Sequence, residues 1–425
     1  MYNFYPYFTN DGSVGLFSES DNDIYHSTYG ALTEAYEKFI LPADFKNHFK
    51  NNNKIKILDI CFGIGYNSKS SINYFIENIY NDTIYTNNIN TDNYYVEIYT
   101  DNNSIRTSAI EQENNKNFEI YIKAIDIDKT LAFLSPFIIC DKKKLPKNYK
   151  LPFENEKISK MLNKPPKDKI KFLPEINFLL YQKIIEKYPE IFNNEDISLL
   201  LNSPKYKEFF EPSICRLFEF NKNERYSSGF LKRYYAFLHN IYYRYLSSRY
   251  KNAFKSPVLN NFIFDLKIED ARKELLHDNN KYDYVFLDAF TPAKCPALWS
   301  VDFFRLLYEH LNDNGMILTY SNSASIRNAF LHAGFFIGKT YNNSLDKFMG
   351  TVAVKNKSLI KHELSEYDLG LLKTKAGIFY RDENLTALNE AIINSHKIEV
   401  EKSNLISSSR YIKSYKTRNI MQEYY

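Results

Sequence analysis

Two glycines and an acid surround the end of the first strongly apolar run of this sequence. In residues 58–67, LDICFGIGYN, Asp59 precedes a loop that contains Gly63 and Gly65, and a helical pattern follows. Glycines here let the backbone pass close to a ligand while the first helical amides point at it, although such a turn is often plain loop geometry. Ser68 occupies the place of the third glycine in a dinucleotide fingerprint. The loop therefore favours a ligand with cationic groups and no pyrophosphate.

Carboxylates follow two further apolar runs. Asp126 and Asp128 end one run, and an acid at this position of a nucleoside-binding sheet accepts both ribose hydroxyls. We favour Asp126 for this role, and the alternative is that the pair caps a helix from Thr130. Asp270 and Ala271 end the next run. Asp270 would accept the exocyclic amine of adenine while the small Ala271 lets the ring approach, and the alternative is again a helix cap.

The segment 288–299, DAFTPAKCPALW, is the most distinctive in the chain. Asp288 emerges from an apolar strand, where a carboxylate is poorly solvated and well placed to orient an amine. Pro292 and Pro296 stiffen the loop that follows. The alternative is that Trp299 is a core residue and Asp288 is a turn residue without a role in binding. This alternative suits Trp299 better than Asp288. We interpret the segment as a substrate gate.

The elements that must position these residues alternate between two periodicities. Short β-branched runs predict strands at 55–60, 118–125, 262–268, 284–287, 316–320 and 351–354. Helical patterns lie between them at 29–40, 66–79, 301–311 and 325–333. This alternation predicts an α/β protein with a mostly parallel sheet and helices on both faces. The carboxyl ends of parallel strands meet at one crevice, so the glycines and acids are expected to form one site. Gly315 is expected to take a left-handed conformation at a helix end.

Composition divides the chain further. With 425 residues and 44% hydrophobic content, the chain is long enough for one large or two ordinary domains. Asparagine crowds out core residues in 78–117, which predicts a polar surface loop. A lysine-rich, proline-punctuated stretch and then a helical pattern predict an inserted subdomain. We therefore divide the chain into three parts: an α/β domain at 1–137 with 255–360, a helical insertion at 138–254 and a C-terminal extension at 361–425.

Several classes of protein are not favoured. The net charge of +4 is small, so the whole-chain balance does not identify a polyanionic partner. No run of 18 apolar residues occurs and the start does not resemble a signal peptide, so we predict a cytoplasmic protein without a membrane segment. The four cysteines show no Cys-x-x-Cys spacing, which predicts free thiols and no metal site.

Four segments together resemble one family. The segments 25–34 (YHSTYGALTE) and 375–382 (KAGIFYRD), with the glycine loop and the gate, resemble the MnmC-type tRNA methyltransferases, in the stand-alone form without the FAD-dependent oxidase half. The resemblance covers roughly 1–75, 118–137 and 230–415. It implies a class I S-adenosyl-L-methionine-dependent methyltransferase fold, Rossmann-like and seven-stranded.

The family's activity is methyl transfer to the aminomethyl nitrogen on the wobble uridine of tRNA, often 2-thiolated. The cofactor-binding residues that the resemblance implies are Tyr25, Glu34, Asp59, Gly63, Gly65, Asn67, Asp126, Asp270, Ala271 and Asp288. The substrate-binding residues that it implies are Phe290, Pro292, Lys294 and Arg327. Asp288 is also the implied catalytic residue. Two positions depart from the family, because Cys61 replaces a usual glycine and Asp126 stands where a longer acid is common.

The implied partner is the anticodon arm of tRNA, whose wobble base must leave its stack to enter a pocket. Tyr25 and Phe290 would stack on that base, whereas core packing suits Trp299 better. Lys294 and Arg327 would meet phosphate. The lysine-rich stretch and the tail from 410 to 418 are further candidates for RNA contacts.

Two other functions stay open. One is a non-catalytic RNA-binding module on a methyltransferase fold, and the other is an aminopropyltransferase-like enzyme. The second would need an acid-lined cavity for a polycation. A functional link to the enzyme that makes the aminomethyl precursor follows only if the methyltransferase interpretation holds.

Overall fold

A seven-stranded sheet forms the centre of the protein. The computed structural model describes residues 4–19, 23–25, 28–80, 118–142, 145, 149–151, 153–162, 170–251, 259, 261–342 and 345–423. The described strands are β1 (Phe4–Phe8), β2 (Val14–Ser18), β3 (Asp23–Ile24), β4 (Lys54–Ile60), β5 (Glu119–Asp126), β6 (Asn261–Ile268), β7 (Tyr282–Leu287), β8 (Leu311–Thr319), β9 (Phe336–Asn342) and β10 (Lys347–Val354). β1 to β3 form a separate three-stranded sheet.

The order of the large sheet is β6-β5-β4-β7-β8-β10-β9. Neighbouring strands from β6 to β8 are parallel, and β10 is antiparallel to both β8 and β9. After β4 the chain adds β5 and β6 on one side, and β7 then pairs with the other side of β4. The topological switch point therefore lies between β4 and β7, where ligands bind in open sheets of this kind.

Helices cover both faces of the sheet, as predicted. In β4, Ile55 and Ile57 belong to one hydrophobic cluster, and Leu58 and Ile60 belong to a second. Successive side chains of a strand point to opposite faces, so the two clusters lie on opposite faces. The described α-helices are Ala31–Ala35, Leu41–Ala43, Phe45–Asn51, Tyr66–Tyr74, Lys129–Leu134, Glu156–Met161, Glu175–Lys187, Glu195–Asn202, Pro212–Tyr226, Gly229–Arg249, Ala271–His277, Val301–His310, Ala324–His332, Glu366–Leu372, Asn389–Lys402 and Ser408–Glu423.

The predicted insertion packs directly on the sheet. Phe178, Leu217 and Leu246, from three of its helices, share the first cluster with Ile122 of β5 and Phe264 of β6. A common core of this kind positions the inserted helices over the β6 edge. The predicted domain boundaries stay a prediction. Most of the asparagine-rich segment lies outside the described residues.

Two local predictions were wrong or incomplete. The aromatic start of the chain forms β1 to β3, which the pattern of β-branched runs did not indicate. Gly315 lies inside β8 and is not in a left-handed conformation. A Cβ at this position would lie 2.9 Å from the carbonyl oxygens of Tyr282 and Asp283. Glycine is therefore needed because β7 approaches closely, beside the register shift between Tyr282 and Tyr284.

A buried ion-pair network joins β5 to the helix Ala271–His277 and the residue that follows it. The Nζ atom of Lys123 lies 2.8 Å from Glu274 and 2.9 Å from Asp278. Burial alone would raise the pKa of Asp278, but hydrogen bonds from Tyr282 and Lys123 outweigh it and hold this pKa at about 2. Ionised Asp278 therefore stabilises the fold.

Candidate functional site

One cavity of about 600 Å³ opens at the carboxyl ends of β4, β5, β6 and β7. Small-molecule sites occupy roughly 300–1,000 Å³, so its size suits a nucleoside-sized ligand. Gly63, Asp126, Asp270 and Asp288 all line it. Further predicted residues in its wall are Tyr25, Glu34, Asn67, Ala271 and Phe290. The strand ends that the sequence singled out therefore converge on one site.

The loop between β4 and the helix Tyr66–Tyr74 follows a left-handed path. Cys61, Gly63 and Gly65 have φ angles of 64°, 55° and 85°. A Cβ on Gly65 would lie 2.5 Å from the ring of Phe62, so this position requires glycine. Cys61 adopts the same region with a side chain, at a cost of about 1–2 kcal/mol. This cost is a physical reason to expect glycine at this position.

Asp59 lies behind this loop and not in the cavity wall. Its Oδ2 atom accepts hydrogen bonds from the amide and the hydroxyl of Ser68, at 3.1 and 2.6 Å. Among the described residues, its Oδ1 atom has no hydrogen-bond partner. Burial raises the pKa of Asp59 to about 7, against the hydrogen bond of Ser68. Asp59 and Gly65, which were predicted to touch the ligand, thus shape the loop from behind it.

Asp126 holds the glycine loop against β5. Its Oδ2 accepts a hydrogen bond from the amide of Gly63 at 2.6 Å, and its Oδ1 accepts one from the amide of Asp128 at 2.8 Å. Burial raises the pKa of Asp126 to about 6. Asp128 instead caps the next helix by accepting hydrogen bonds from the amides of Thr130 and Leu131. The two acids have separate tasks, and the one bonded to the loop is Asp126.

Both interpretations of Asp270 fit its position. Its side chain lines the cavity and also caps the helix Ala271–His277, where Oδ1 accepts a hydrogen bond from the amide of Arg272 at 2.9 Å. The Arg272 guanidinium contacts Asp270 at 2.6 Å and the buried Asp382 at 2.7 Å. Burial opposes ionisation of Asp270, but the bonds from Arg272 keep its pKa below the ordinary value. Asp270 is therefore a fixed negative charge.

Asp288 has polar neighbours from two other elements. The side-chain amide of Asn67 donates a hydrogen bond to Asp288 Oδ2 at 3.1 Å. Lys38 lies in the π-helical segment Tyr36–Ile40, which continues the helix Ala31–Ala35, and it forms an ion pair with Glu34 at 2.8 Å. Burial raises the pKa of Asp288 to about 6, while the charge of Lys38 and the Asn67 hydrogen bond lower it. A carboxylate with this pKa is mostly ionised at neutral pH and still basic enough to take a proton.

Aromatic rings stand beside Asp288 in the cavity wall. The rings of Tyr25 and Phe290 meet edge to face with their centroids 4.8 Å apart. The Nζ atom of Lys294 lies 5.7 Å from the centroid of the Phe290 ring. Lys294 and Pro292 themselves are not part of the cavity wall. Trp299 is fully buried and donates a hydrogen bond to the carbonyl oxygen of Phe290 at 2.7 Å. Trp299 is thus a core residue that fixes the gate.

Arg327 was predicted to contact phosphate, and the structure contradicts this. Its side chain is buried and does not line the cavity. Its guanidinium donates hydrogen bonds to Thr351 at 3.0 Å, Asp368 at 3.0 Å and Asn322 at 2.8 Å. All three guanidinium nitrogens are used inside the fold, so Arg327 has a structural role.

Several residues of the wall were not predicted. Lys38 had a weak signal, because it follows Glu34 by one helical turn and therefore lies on the same face. Ile127 is 75% exposed and adds apolar surface between two acids. Leu388 and Asn389 come from the C-terminal extension, and no motif indicated them. Asn389 donates a hydrogen bond to the carbonyl oxygen of Lys294, which ties this segment to the gate.

The donor set fits a cationic nucleoside. Asp126, Asp270 and Asp288 supply carboxylates at the strand ends, and Glu34 supplies one from the helix Ala31–Ala35. Apolar wall residues for a planar base include Ile127, Ala271, Leu298 and Leu388. Among the described residues, no cluster of His, Cys, Asp and Glu is suited to a metal ion. None of the helices in the described ranges is long and apolar enough to cross a membrane.

Comparison with known proteins agrees with this geometry. Residues 233–356 match the profile of an S-adenosyl-L-methionine-dependent methyltransferase family. An uncharacterized protein of Methanocaldococcus jannaschii is 32% identical over 165 residues, which cover 37% of this chain and 46% of that protein. The tRNA 5-methylaminomethyl-2-thiouridine biosynthesis bifunctional protein MnmC of Burkholderia vietnamiensis is 37% identical over 73 residues, which cover 17% of this chain and 11% of that protein. The chain thus spans less than half the length of these curated relatives.

A solved structure has the same fold. The crystal structure of MNMC2 from Aquifex aeolicus superposes with a TM-score of 0.52 and 20% identity, and the match covers 95% of this chain and 86% of the other. The predicted class I methyltransferase fold is confirmed by this match and by the strand order. The cofactor of the family is S-adenosyl-L-methionine. Together with the family profile and the sequence relatives, these findings show that the chain is similar to MnmC-type S-adenosyl-L-methionine-dependent methyltransferases.

Proposed function

We propose that this protein methylates the aminomethyl nitrogen of 5-aminomethyl-uridine, with or without a 2-thio group, at the wobble position of tRNA. The observation that carries the proposal is the position of Asp288, a carboxylate in the same cavity as the glycine loop and the Tyr25–Phe290 ring pair. The name of the Burkholderia vietnamiensis relative supports the substrate. The proposal also implies a functional link to the enzyme that makes the aminomethyl precursor.

The strand ends would divide the cofactor among them. Gly63 and the loop shaped by Asp59 and Gly65 would hold the methionine part, and Asn67 would bond to it or orient Asp288. Asp126 would accept the ribose hydroxyls, while Asp270 and Ala271 would contact adenine. Tyr25 and Glu34 would close the site from the N-terminal part of the chain. When bound, S-adenosyl-L-methionine supplies a methyl group on a sulfonium that needs no further activation.

Asp288 would act on the substrate nitrogen. An ammonium has no lone pair for attack, so the amine must be neutral when its nitrogen takes the methyl group. Asp288 would orient this amine and accept the proton it releases, directly or through one water. Asn67 fixes the carboxylate by its 3.1 Å hydrogen bond. Holding amine and donor in line supplies most of the rate, up to about 7–11 kcal/mol.

The gate would receive the extruded base. A wobble uridine that leaves its stack loses contact with its neighbours, and aromatic rings replace them. Tyr25 and Phe290 offer such rings in the cavity wall. Lys294 is exposed beside Phe290 and would meet a backbone phosphate, while Pro292 would limit the motion of the loop. Arg327 has no part in this proposal.

The rival functions differ in what they need from the cavity. Among the residues that the structure describes, six acids line it, namely Glu34, Asp126, Asp128, Glu269, Asp270 and Asp288. A polycationic acceptor for aminopropyl transfer would need several of these carboxylates, yet five of them bond to protein cations or cap backbone amides. Asp288, whose Oδ2 accepts the Asn67 hydrogen bond, is the sixth. This geometry favours recognition of a single amine.

Nucleoside analysis of treated tRNA tests the proposal. Purified protein is incubated with S-adenosyl-L-methionine and tRNA that carries 5-aminomethyl-uridine, and the digested nucleosides are analysed by mass spectrometry. The expected product has one additional methyl group, and tRNA with an unmodified wobble uridine is the matched control. Binding of tRNA without methylation would instead support the RNA-binding module. Product from decarboxylated donor and polyamine would support aminopropyl transfer.

A further inference from the structure

The helix Gly229–Arg249 packs on the fold with only one of its faces. It forms an antiparallel hairpin with the helix Pro212–Tyr226 through a two-residue connection. Leu246 is fully buried on the packed face, and His239 lies 3.2 Å from Glu224 of the partner helix. The covered face is therefore a normal helix–helix interface.

The opposite face of this helix exposes a continuous row of large side chains. The row, here called the aromatic stripe, consists of Phe230, Tyr234, Phe237, Ile241 and Tyr245, with exposed fractions of 79%, 47%, 61%, 51% and 52%. Its members recur every three or four residues, which places them on one side of a helix. The rings of Phe230 and Tyr234 are nearly parallel, with 15° between their planes and their centroids 6.5 Å apart. Surface hydrophobic residues usually occur singly, so a contiguous row marks a contact site.

The charge of the helix is of one sign. Between Gly229 and Lys251 the sequence contains five Lys and Arg residues and no Asp or Glu. Arg233 and Arg244 are exposed. Both lie beside the stripe, because each is one helical turn from a stripe residue. A surface that combines cations with flat rings is complementary to phosphates and unstacked bases.

We propose that the aromatic stripe, with Arg233 and Arg244, is a docking surface for unpaired nucleotides of the RNA substrate. This inference rests on the proposed function, because it assigns a second contact of the same tRNA outside the catalytic cavity. Four of the five stripe residues are aromatic, which suits stacking on bases more than it suits contact with lipid tails. Two copies of the chain that paired through this helix would bring like charges together.

Two double variants test the surface. In Phe230→Ala/Phe237→Ala, loss of two stacking rings should weaken tRNA binding by about 30-fold or more, because each stacked base contributes at least about fivefold in affinity. In Arg233→Gln/Arg244→Gln, the slope of log affinity against log salt should decrease by about 1.4–1.8, since each phosphate contact contributes about 0.7–0.9. Affinity is measured by fluorescence anisotropy with labelled tRNA at several salt concentrations.

Matched controls lie at the opposite edge of the sheet. Phe336 on β9 is 45% exposed, and Lys357 and Lys361 follow β10 with exposed side chains. Phe336→Ala and Lys357→Gln/Lys361→Gln should leave tRNA binding and its salt slope unchanged. Thermal melting of each variant should match the wild type, because the replaced side chains are exposed.

The outcomes separate this inference from the proposed function. If the wild type methylates tRNA and both stripe variants bind tRNA with wild-type affinity and salt slope, the docking surface is wrong and the function stands. If the wild type binds tRNA through the stripe but never methylates it, the proposed reaction is wrong and the surface stands. Stripe-dependent dimers in sedimentation, or stripe-dependent binding to anionic vesicles with unchanged tRNA affinity, would assign the surface to another partner.

Discussion

Replacing Asp288 by asparagine removes the proposed proton acceptor with little change in shape. The amide keeps an oxygen that accepts the hydrogen bond from Asn67, which is 3.1 Å long in the wild type. A positioned general base contributes about 10²–10⁴-fold to the rate, or roughly 3–5.5 kcal/mol. We therefore expect kcat to decrease by about this factor in Asp288→Asn. Affinity for S-adenosyl-L-methionine should change little, since the strand ends of β5 and β6 supply its other contacts.

The pH dependence gives a sharper test than the rate alone. Burial raises the pKa of Asp288 to about 6, so its carboxylate is protonated below this pH and available as a base above it. The ratio of wild-type to variant kcat should therefore rise between pH 5 and 7 and then stay constant. Titration of the substrate amine affects both proteins equally and cancels in the ratio. Steady-state methyl transfer to tRNA measures kcat, and calorimetric titration measures cofactor affinity.

A surface acid provides the control for this substitution. Asp313 at the start of β8 has a side chain that is 94% exposed, and Asp313→Asn should leave kcat unchanged. The reasoning is refuted if Asp288→Asn retains wild-type kcat, or if the ratio of the two rates is the same at pH 5 and pH 7. A variant that loses only cofactor affinity would place Asp288 in binding instead of proton transfer.

Three other substitutions test local geometry. Gly65→Ala should weaken cofactor binding and lower stability more than Gly63→Ala does. A Cβ on Gly65 would lie 2.5 Å from the Phe62 ring, whereas the atom nearest to a Cβ on Gly63 would be 4.0 Å away. Calorimetry measures cofactor binding, and thermal melting measures stability. Arg327→Met should lower the free energy of unfolding by about 1–3 kcal/mol, since it removes the buried hydrogen bonds of the guanidinium while Asp368 keeps its ion pair with Lys339. Its tRNA affinity should stay unchanged, and a decrease in affinity without loss of stability would restore the predicted phosphate contact. Asp278→Asn should cost about 2 kcal/mol in urea unfolding at pH 7. Folding lowers the pKa of this acid to about 2, so its contribution is present above about pH 4 and the difference should vanish as pH falls towards 2.

The site could be predicted from the sequence where strand topology alone decides position. Asp126, Asp270 and Asp288 each follow an apolar strand, and parallel strands bring their carboxyl ends to one edge. No partner in the rest of the chain has to be known for this inference. The same rule predicted the place of Gly63, because its loop follows β4.

The errors arose where the partner of a side chain decides its role. A helical sequence pattern does not show whether an arginine is exposed at the surface or buried in the fold. Arg327 is buried because its guanidinium bonds to Asp368. Asp368 lies 41 residues further along the chain, and no local sequence pattern connects the two positions. Asp59 follows the same logic, since its bonds to Ser68 turn it away from the cavity. Residue type and strand position were insufficient in both cases.

The residues of the cavity wall come from two parts of the fold: the strand ends of the sheet, and segments outside the sheet. The ends of β4 to β7 supply the groups that any nucleoside-binding sheet of this order requires. Other wall residues come from outside the sheet, namely Lys38 from the segment Tyr36–Ile40 and Leu388 and Asn389 from the C-terminal extension. The Asn389 hydrogen bond to Lys294 joins the extension to the gate. Since fold alone does not determine the substrate, we expect the acceptor to be selected where these outer segments meet the gate, while the strand ends would hold the cofactor.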